Sequence, residues 1–565
     1  MSHDLDWLVI GSGFGGSVAA LRLAEKGYSV GMLECGRRFE DEDFAESTWQ
    51  MGRYYWMPKL GMKGILRLTL FKDIFIASGC GVGGGSLGYA NTLYRARPAF
   101  FRDPQWEPLG EWEQELGPHY DTAERMLGVT TYEGEGPADL LLKELGEELG
   151  VADTYKPTRI GTFFGEPGVE VPDPYFGGEG PPRSGCIRCG SCMVGCRHNA
   201  KNTLPKNYLW FAEKLGVRIL PERMVTEVRP IDGGAEDGSD GYEVRSERSG
   251  AWFRRRRQTH TARGVVLAAG ALGTNQLLAN CVHRGALPRV SKRLGHVVRT
   301  NTESIQAVTA PDDSRDFARS VAITSSIYPD PDTHIEVVTY GRHADSMSAL
   351  YTLMTGEGTR LTRPLLWVGQ VLRHPIRYLR TLWPFKWSRR TVILLVMQTL
   401  DTAMRLRPKR RLLGRGVRLQ TEQDAERPNP TYIPVANQAA EWFAKRTGGM
   451  AQSGLTEAIW NIPTTAHILG GAVIGADPEH GVVDAASRVF GYENLLITDG
   501  AAVPANPGVN PSLTITAMAE RAMARIPAKP GASGGRLPAS VASERSEGEP
   551  AGDGLSEPVA GPRPS

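Results

Sequence analysis

The sequence predicts an α/β fold in which one domain is interrupted by a second, α+β one, and three observations carry that expectation. A strand, Trp7-Leu8-Val9-Ile10, runs straight into the turn Gly11-Ser-Gly13-Phe-Gly-Gly16 and a helix from Ser17 to Lys26. Two later segments, Val265 to Gly270 and Leu495 to Gly500, repeat the passage from apolar strand to glycine. Between these segments lie stretches of less regular sequence, richer in Pro, Trp and Tyr. The expected division gives residues 1–44, 202–300 and 484–527 to the first domain and 45–201 and 301–483 to the second. From 528 to 565 the chain turns to Pro, Gly, Ser, Glu and Ala without apolar periodicity, the pattern of a disordered tail.

The glycine turn is the most informative element. Gly11 permits the tight bend, Gly13 lets the backbone approach a pyrophosphate, and Gly16 allows close packing of helix on sheet. A second strand, Gly27 to Leu33, ends at Glu34, placed to accept hydrogen bonds from a ribose. The arrangement points to a Rossmann-like dinucleotide site. A second cluster, Gly79-Cys80-Gly81-Val82-Gly83-Gly84-Gly85-Ser86, continues through Leu87 to Asn91, where so many glycines let the main chain press against a flat or charged ligand. Glycine is in surplus overall: 66 of 565 residues, about 12% against a usual share of roughly 7%.

Composition excludes some classes. With 65 Lys or Arg against 63 Asp or Glu the net charge is only +2, which argues against a nucleic-acid binder, and 41% hydrophobic residues exclude wholesale disorder. The chain shows no run of 18 apolar residues and no basic, then apolar leader, so a cytoplasmic location is expected. Four of seven cysteines fall within residues 186–196, more the pattern of a metal site than of a disulfide framework.

Five stretches together resemble the glucose-methanol-choline (GMC) flavoprotein oxidoreductases, and within them the cholesterol oxidase branch. These are Gly11 to Gly16 with Glu34, Gly81 to Leu87, Val265 to Gly270, His467-Ile-Leu-Gly-Gly471, and Asp499-Gly500 through Gly508-Val-Asn510-Pro511 to Thr516. The resemblance implies FAD. Val225 would lie near the adenine, Asp499 and Gly500 near the ribityl and pyrophosphate, and Gly84, Gly85 and Asn91 against the isoalloxazine, with Gly81 and Ser86 in the same loop. It also implies that His467 acts as base or hydrogen-bond partner to a substrate alcohol, Asn510 orients the hydroxyl, and hydride passes to flavin N5. The alternative for these two residues is a packed histidine beside a turn and an asparagine helix cap. Asn510, where many family members carry histidine, narrows the substrate towards a 3-hydroxysteroid. The branch uses a Glu in the substrate domain to shift the ring double bond; no Glu here matches it by sequence, so oxidation is expected rather than isomerisation.

Cys186-x2-Cys189-x2-Cys192-x3-Cys196 has the spacing of bacterial ferredoxins, with Arg197 in place of the usual proline. It predicts an iron-sulfur cluster (4Fe-4S or 3Fe-4S), held by all four thiols or with Cys281 or Cys80 replacing one; zinc is less expected. A cluster beside FAD suggests a redox-protein acceptor in place of oxygen. Two alternatives stay open: a GMC dehydrogenase of another alcohol or a sugar, and a non-catalytic flavin and iron-sulfur electron carrier.

Between Arg360 and Arg418 stand 15 Lys or Arg residues against one acid, Asp401, with Trp367, Trp383, Phe385 and Trp387 among them. Such a stretch is suited to peripheral contact with an anionic membrane. The alternative is a solvated face around a strand from Thr391 to Leu400, since no clean 3.6-residue period marks an amphipathic helix.

Overall fold

The computed structural model describes residues 3–411 and 416–532, together with 534, 535, 537 and 541. The three distant segments meet in one sheet, whose parallel part runs Arg218–Leu220, Val30–Leu33, Leu5–Ile10, Gln258–Leu267 and Leu495–Ile497. The long strand Gln258–Leu267 pairs with Leu5–Ile10 along one edge and with two strands along the other. Its end pairs with Leu495–Ile497, while its start pairs antiparallel with Tyr242–Arg248, which carries Arg223–Pro230 at the edge. Trp7 to Ile10 are all buried, as a central parallel strand covered on both faces requires.

The helix Phe14–Glu25 is buried from Phe14 to Ala24 because Tyr208–Lys214 and Ser512–Ala524 pack against it. Even Arg22 is inside. Its Nε and Nη2 donate to Oε2 and Oε1 of Glu520 at 2.8 and 2.9 Å, and Tyr208 donates to Glu520 Oε1 at 2.7 Å. One buried ion pair thus ties the first helix to the last.

A second, antiparallel sheet of seven strands runs Tyr351–Leu353, Met450–Gly454, Ser304–Thr309, Thr391–Gln398, Thr333–Val338, Ile323–Asp330 and Lys156–Pro157. Thr391–Gln398 is covered on both faces. Val392, Leu394 and Val396 enter one apolar cluster with Leu142 and Phe443, while Ile393, Leu395 and Met397 enter another with Phe39, Tyr54 and Leu87. The period of two is what distributes the strand between them. Thr391–Gln398 is thus a core strand, and exposed basic residues of the stretch, Arg407, Lys409 and Arg410, stand on the strand Met404–Arg410.

The division by residue number differs from the packing in two places. Helix Trp112–Met126, expected in the second domain, packs into the first core, where Trp112 stacks on Trp106 at 4.3 Å and beneath the Arg521 guanidinium. A small sheet also joins His296–Arg299 to Leu469–Gly471, Met404–Arg410 and Val417–Gln423, so it crosses the expected boundary at 300. The segment 528–565 lies largely outside the described residues. Of those described, Lys529 pairs with Asp6 at 2.6 Å, and the buried Val541 accepts from Arg22 through its carbonyl at 2.8 Å.

Replacing Arg22 by Met leaves the Glu520 carboxylate buried without its cation, at an expected cost of about 3–5 kcal/mol. Arg38→Met, at the half-exposed Arg38–Glu213 pair, is expected to cost no more than about 1 kcal/mol. Urea unfolding curves with unchanged slope and shifted midpoints check both.

Candidate active site

The two glycine clusters meet backbone to backbone. A Cβ on Gly84, at φ +52°, would stand 2.6 Å from the Cα of Gly13. Gly11, at φ +101°, would bring a Cβ to 2.2 Å from the carbonyl oxygen of Ala268, and one on Gly16 would strike the Gly11 oxygen at 2.0 Å. Gly13 differs: a Cβ there meets nothing nearer than 4.0 Å, so open space lies beside the helix N-terminus. That space and its free N–H groups suit a pyrophosphate.

Ser12 knots the loops together. Its Oγ donates to Glu34 Oε2 at 2.7 Å and accepts from the Gly83 N–H at 3.1 Å, while its own N–H donates to Glu34 at 3.1 Å. Glu34 Oε1 accepts from the Gly36 N–H at 2.7 Å. In the second loop the Gly81 carbonyl accepts from the Gly84 N–H at 2.7 Å, Gly85 follows in the short helical turn Gly84–Leu87, and Ser86 pins the loop by donating to the Gly83 carbonyl and accepting from the Leu204 N–H. Asp499 occupies the start of helix Gly270–His283: it accepts from the Gly270 and Ala501 N–H groups at 2.8 Å and from the Thr274 hydroxyl at 2.5 Å. Burial pushes its carboxyl up to about 6 despite these donors. Gly500 accepts from the Gly470 N–H at 2.7 Å, which brings the His467 segment to the same turn. Val225 sits on the edge strand Arg223–Pro230, whose Arg223 N–H donates to the Glu34 carbonyl at 2.7 Å, and lines an open cleft of about 2000 Å³ with Arg67, Leu272 and Gly273.

At the other end, His467 and Asn510 each face a buried carboxyl. His467 Nδ1 is hydrogen-bonded to Glu303 Oε1, and Glu303 Oε2 accepts from the Ala466 N–H at 2.9 Å. A carboxylate on Nδ1 fixes the ring and leaves Nε2 for a ligand. Asn510 Nδ2 donates to Glu336 Oε2 at 3.3 Å, while Asn510 Oδ1 and Glu336 Oε1 are buried without partners. Burial pushes the Glu336 carboxyl up to about 8, Asn510 opposing and Glu303 adding to the rise. The turn carrying Asn510 is held by Asn301, which accepts from the Gly508 N–H at 2.9 Å and donates to the Val509 carbonyl at 3.0 Å. Asn510 is therefore no simple helix cap. Glu303 and Glu336 were missed by sequence reasoning, although a glutamate inside Thr333-His-Ile-Glu-Val-Val338, a buried strand, is itself a signal.

The four clustered cysteines all border one small cavity, and Asn91 borders it too. Asn91 has φ +66°, donates to Thr162 Oγ1 at 2.9 Å and leaves its Oδ1 buried and unpaired. The loop expected against the isoalloxazine and the cysteine run thus share a wall. Lys201 fastens them, its buried Nζ donating to the carbonyls of Leu87, Tyr89 and Cys192 at 3.0, 2.7 and 2.9 Å. All seven cysteines are free thiols, and burial pushes Cys186 up to about 11 and Cys192 up to about 12. Among the described residues no three sulfurs of the run lie within 4.8 Å of one another. Tetrahedral zinc would need them about 3.8 Å apart. Cys281 stands elsewhere, accepting from the Val228 N–H, and Cys80 lies beside Cys35.

Within the basic stretch two helices form, Thr362–Arg373 and Pro375–Thr381. They are amphipathic in an inverted sense. Leu361, Leu365, Leu372, Ile376, Leu379, Leu382, Trp383 and Phe385 are 60–83% exposed, whereas Arg363 is buried and donates to the Glu457 carbonyl at 2.7 Å. Arg373, Arg377 and Arg380 are exposed among the apolar side chains. Beneath the helices lies a cavity of about 520 Å³ lined by Tyr351, Thr352, Trp367, Tyr378, Leu382 and Leu455. Among the described residues no helix is long and apolar enough to cross a membrane.

Comparison with known proteins fits this geometry. Residues 6–349 match the family described as FAD dependent oxidoreductase, and residues 395–519 match GMC oxidoreductase. The chain is 50% identical to a cholesterol oxidase of Mycobacterium tuberculosis, covering 94% of this chain and 92% of the relative, and 46% identical to a cholesterol oxidase of Acinetobacter baumannii, covering 94% and 95%. A solved pyridoxine 4-oxidase from Mesorbium loti shares the fold, with a TM-score of 0.58 over 92% of this chain and 98% of that one at 16% identity. With its glycine cradle and its acid at the end of the second strand, the chain belongs to the GMC oxidoreductases and is an FAD-dependent enzyme of that family.

Proposed function

We propose that the protein oxidises the 3β-hydroxyl of a sterol to a 3-ketosteroid. The observation that carries this reading is the 46–50% identity, over nearly the whole chain, to proteins named cholesterol oxidase. Bound FAD supplies the hydride acceptor. Its binders in this reading are Gly11, Gly13, Gly16, Glu34, Gly81, Gly84, Gly85, Ser86, Asn91, Val225, Asp499 and Gly500. His467 Nε2 takes the hydroxyl proton, and Glu303 on Nδ1 holds the ring in place. Asn510 orients the substrate oxygen, to which the second N–H of its Nδ2 donates while the single hydroxyl proton goes to His467.

Glu336 supports a second step. A carboxyl poised near pH 8 and hydrogen-bonded to the hydroxyl-orienting asparagine suits the proton shuttle that moves a ring double bond into conjugation with the new ketone. Glu336 is in this reading the substrate-domain glutamate that the sequence alone did not reveal.

Cys186, Cys189, Cys192 and Cys196 in turn would hold an iron-sulfur cluster, which supplies one-electron transfer and favours a redox-protein acceptor over oxygen. The free thiols favour a reducing, cytoplasmic compartment. The outward apolar face of the two helices, with arginines among it, supports peripheral contact with an anionic lipid surface from which a water-insoluble alcohol is drawn.

Mixed anaerobically with a sterol, the enzyme is expected to lose its flavin absorbance, and with sugars or short alcohols to keep it; the reverse would overturn the sterol reading. Glu336→Gln should retain this bleaching but lose conjugated-enone formation by about 10²- to 10⁴-fold. Because the Glu336 pKa is raised, its basic form grows as pH climbs through about 8, so wild-type isomerisation rises over that window and the residual rate of the variant does not. Iron and acid-labile sulfide should copurify with FAD and fall together in Cys192→Ser; flavin-replete protein free of both contradicts the cluster. Leu365→Asp with Leu372→Asp should abolish cosedimentation with phosphatidylserine vesicles while sparing oxidation of cyclodextrin-solubilised sterol. Unchanged cosedimentation contradicts the membrane contact.

A further inference from the structure

Cys35 and Cys80 stand outside the four-cysteine run and outside the chemistry proposed above, yet they sit together in the cofactor cradle. Cys35 follows Glu34 at the end of strand Val30–Leu33, and Cys80 follows strand Phe75–Gly79 and precedes Gly81. Their Sγ atoms are 3.6 Å apart, Cys80 buried and Cys35 half-buried. The Arg67 Nη2 reaches both, at 3.3 Å from Cys35 Sγ and 3.5 Å from Cys80 Sγ. Its guanidinium lies over the Trp56 ring, 4.1 Å from the centroid, and its Nε is buried without a partner. Glu34, Cys35 and Cys80 bring three potential ligand atoms within 4.8 Å of one another. A metal there would sit against the Arg67 cation and compete with the Ser12 and Gly36 donors for the Glu34 carboxylate, so redox chemistry of the thiol pair suits the site better.

We propose that Cys35 and Cys80 are a modification site that closes to a reversible disulfide when the protein meets hydrogen peroxide. Cys35, the more accessible of the two and 3.3 Å from the Arg67 guanidinium, reacts first, as its thiolate. That thiolate attacks one peroxide oxygen, the O–O bond breaks, and the departing hydroxide takes up a proton to become water. Cys35 is then a sulfenic acid. Cys80, giving up its proton, attacks the Cys35 sulfur and expels hydroxide, which leaves as the second water. The two sulfurs lose two electrons and peroxide gains them. Sγ to Sγ must close from 3.6 Å to about 2.05 Å, a displacement within reach of side-chain rotation.

The cross-link joins the strand end that carries Glu34 to the loop that begins at Gly81. These segments already touch, Val82 N–H donating to the Arg37 carbonyl at 3.0 Å and Ser12 Oγ lying 3.2 Å from the Gly81 carbonyl oxygen. Oxidation therefore staples the cradle and slows release of the cofactor. The cross-link rests on the thiol geometry and not on the choice of substrate; its effect on release rests on the FAD reading.

The test treats the holoenzyme with hydrogen peroxide, blocks remaining thiols with N-ethylmaleimide, and maps non-reduced peptides by mass. A peptide pair joined through Cys35 and Cys80, separated again by dithiothreitol, is expected, with Cys80 left alkylatable in Cys35→Ser. Arg67→Gln should slow the cross-link about tenfold, and flavin release, followed by fluorescence in mild urea, should slow in the oxidised wild type but not in Cys35→Ser. Both thiols alkylated after peroxide, Cys35 carried to sulfinic acid beside a free Cys80, or a disulfide from either to the 186–196 run would overturn the site. Cross-linked protein that loses flavin at an unchanged rate would overturn the stapling.

Discussion

Everything that makes the cradle depends on main chain touching main chain between residues 11–16 and 81–85. Peptide groups can approach this closely only where no Cβ intervenes, and Gly84 against Gly13 is the point of contact. The approach would leave polar groups stranded if nothing served them, and Ser12 and Glu34 are the service. One hydroxyl and one carboxylate take up the N–H groups of Ser12, Gly36 and Gly83. The cradle is thus closed from within before any ligand arrives. Gly13 alone keeps open space beside it, which is where an anion fits at the helix N-terminus.

The reacting end uses two carboxyls in opposite ways. Glu303 spends both oxygens, on His467 Nδ1 and the Ala466 N–H, and so is a fixed orienting group. Glu336 has only one amide donor for two oxygens, in a strand with no exposed residue, and its proton is correspondingly harder to lose. Two groups of one chemical type are thereby given different tasks by burial and partner count, the general means by which one site runs acid and base steps at one pH.

Much of the cradle was legible in the sequence because its constraint is local. A turn that excludes Cβ writes glycine at fixed offsets, and a strand before it and a helix after it confirm the reading, as Trp7 to Lys26 show. The pairing of Glu303 with His467 and of Glu336 with Asn510 was not legible, since each joins residues 164 and 174 positions apart and rests on tertiary packing alone. The helix Trp112–Met126 was misplaced for the same reason: nothing local says which of two cores an indole will enter. The cysteine run, by contrast, announced its convergence through spacing, and all four thiols do border one cavity.

The 3.6-residue period not recognised in the sequence is present, Leu361, Leu365, Val368 and Leu372 recurring at helical spacing, but a period marks a shared face without saying whether it turns in or out. Here the leucines face out, while Arg363 is buried and donates to the Glu457 carbonyl. Each large apolar side chain left in water forgoes about 1.5–3 kcal/mol, so the eight on and beside these two short helices form a standing bias towards any surface that covers them. In the proposed membrane contact the arginines between them select what kind of surface that is. Uncharged hydrocarbon would gain nothing from Arg373, Arg377 and Arg380, whereas an anionic headgroup layer meets both the charge and the apolar face at once. The cavity beneath, walled by Tyr351, Trp367 and Tyr378, then lies on the inner side of that contact, so the same reversal that exposes the leucines places an apolar hollow directly behind them.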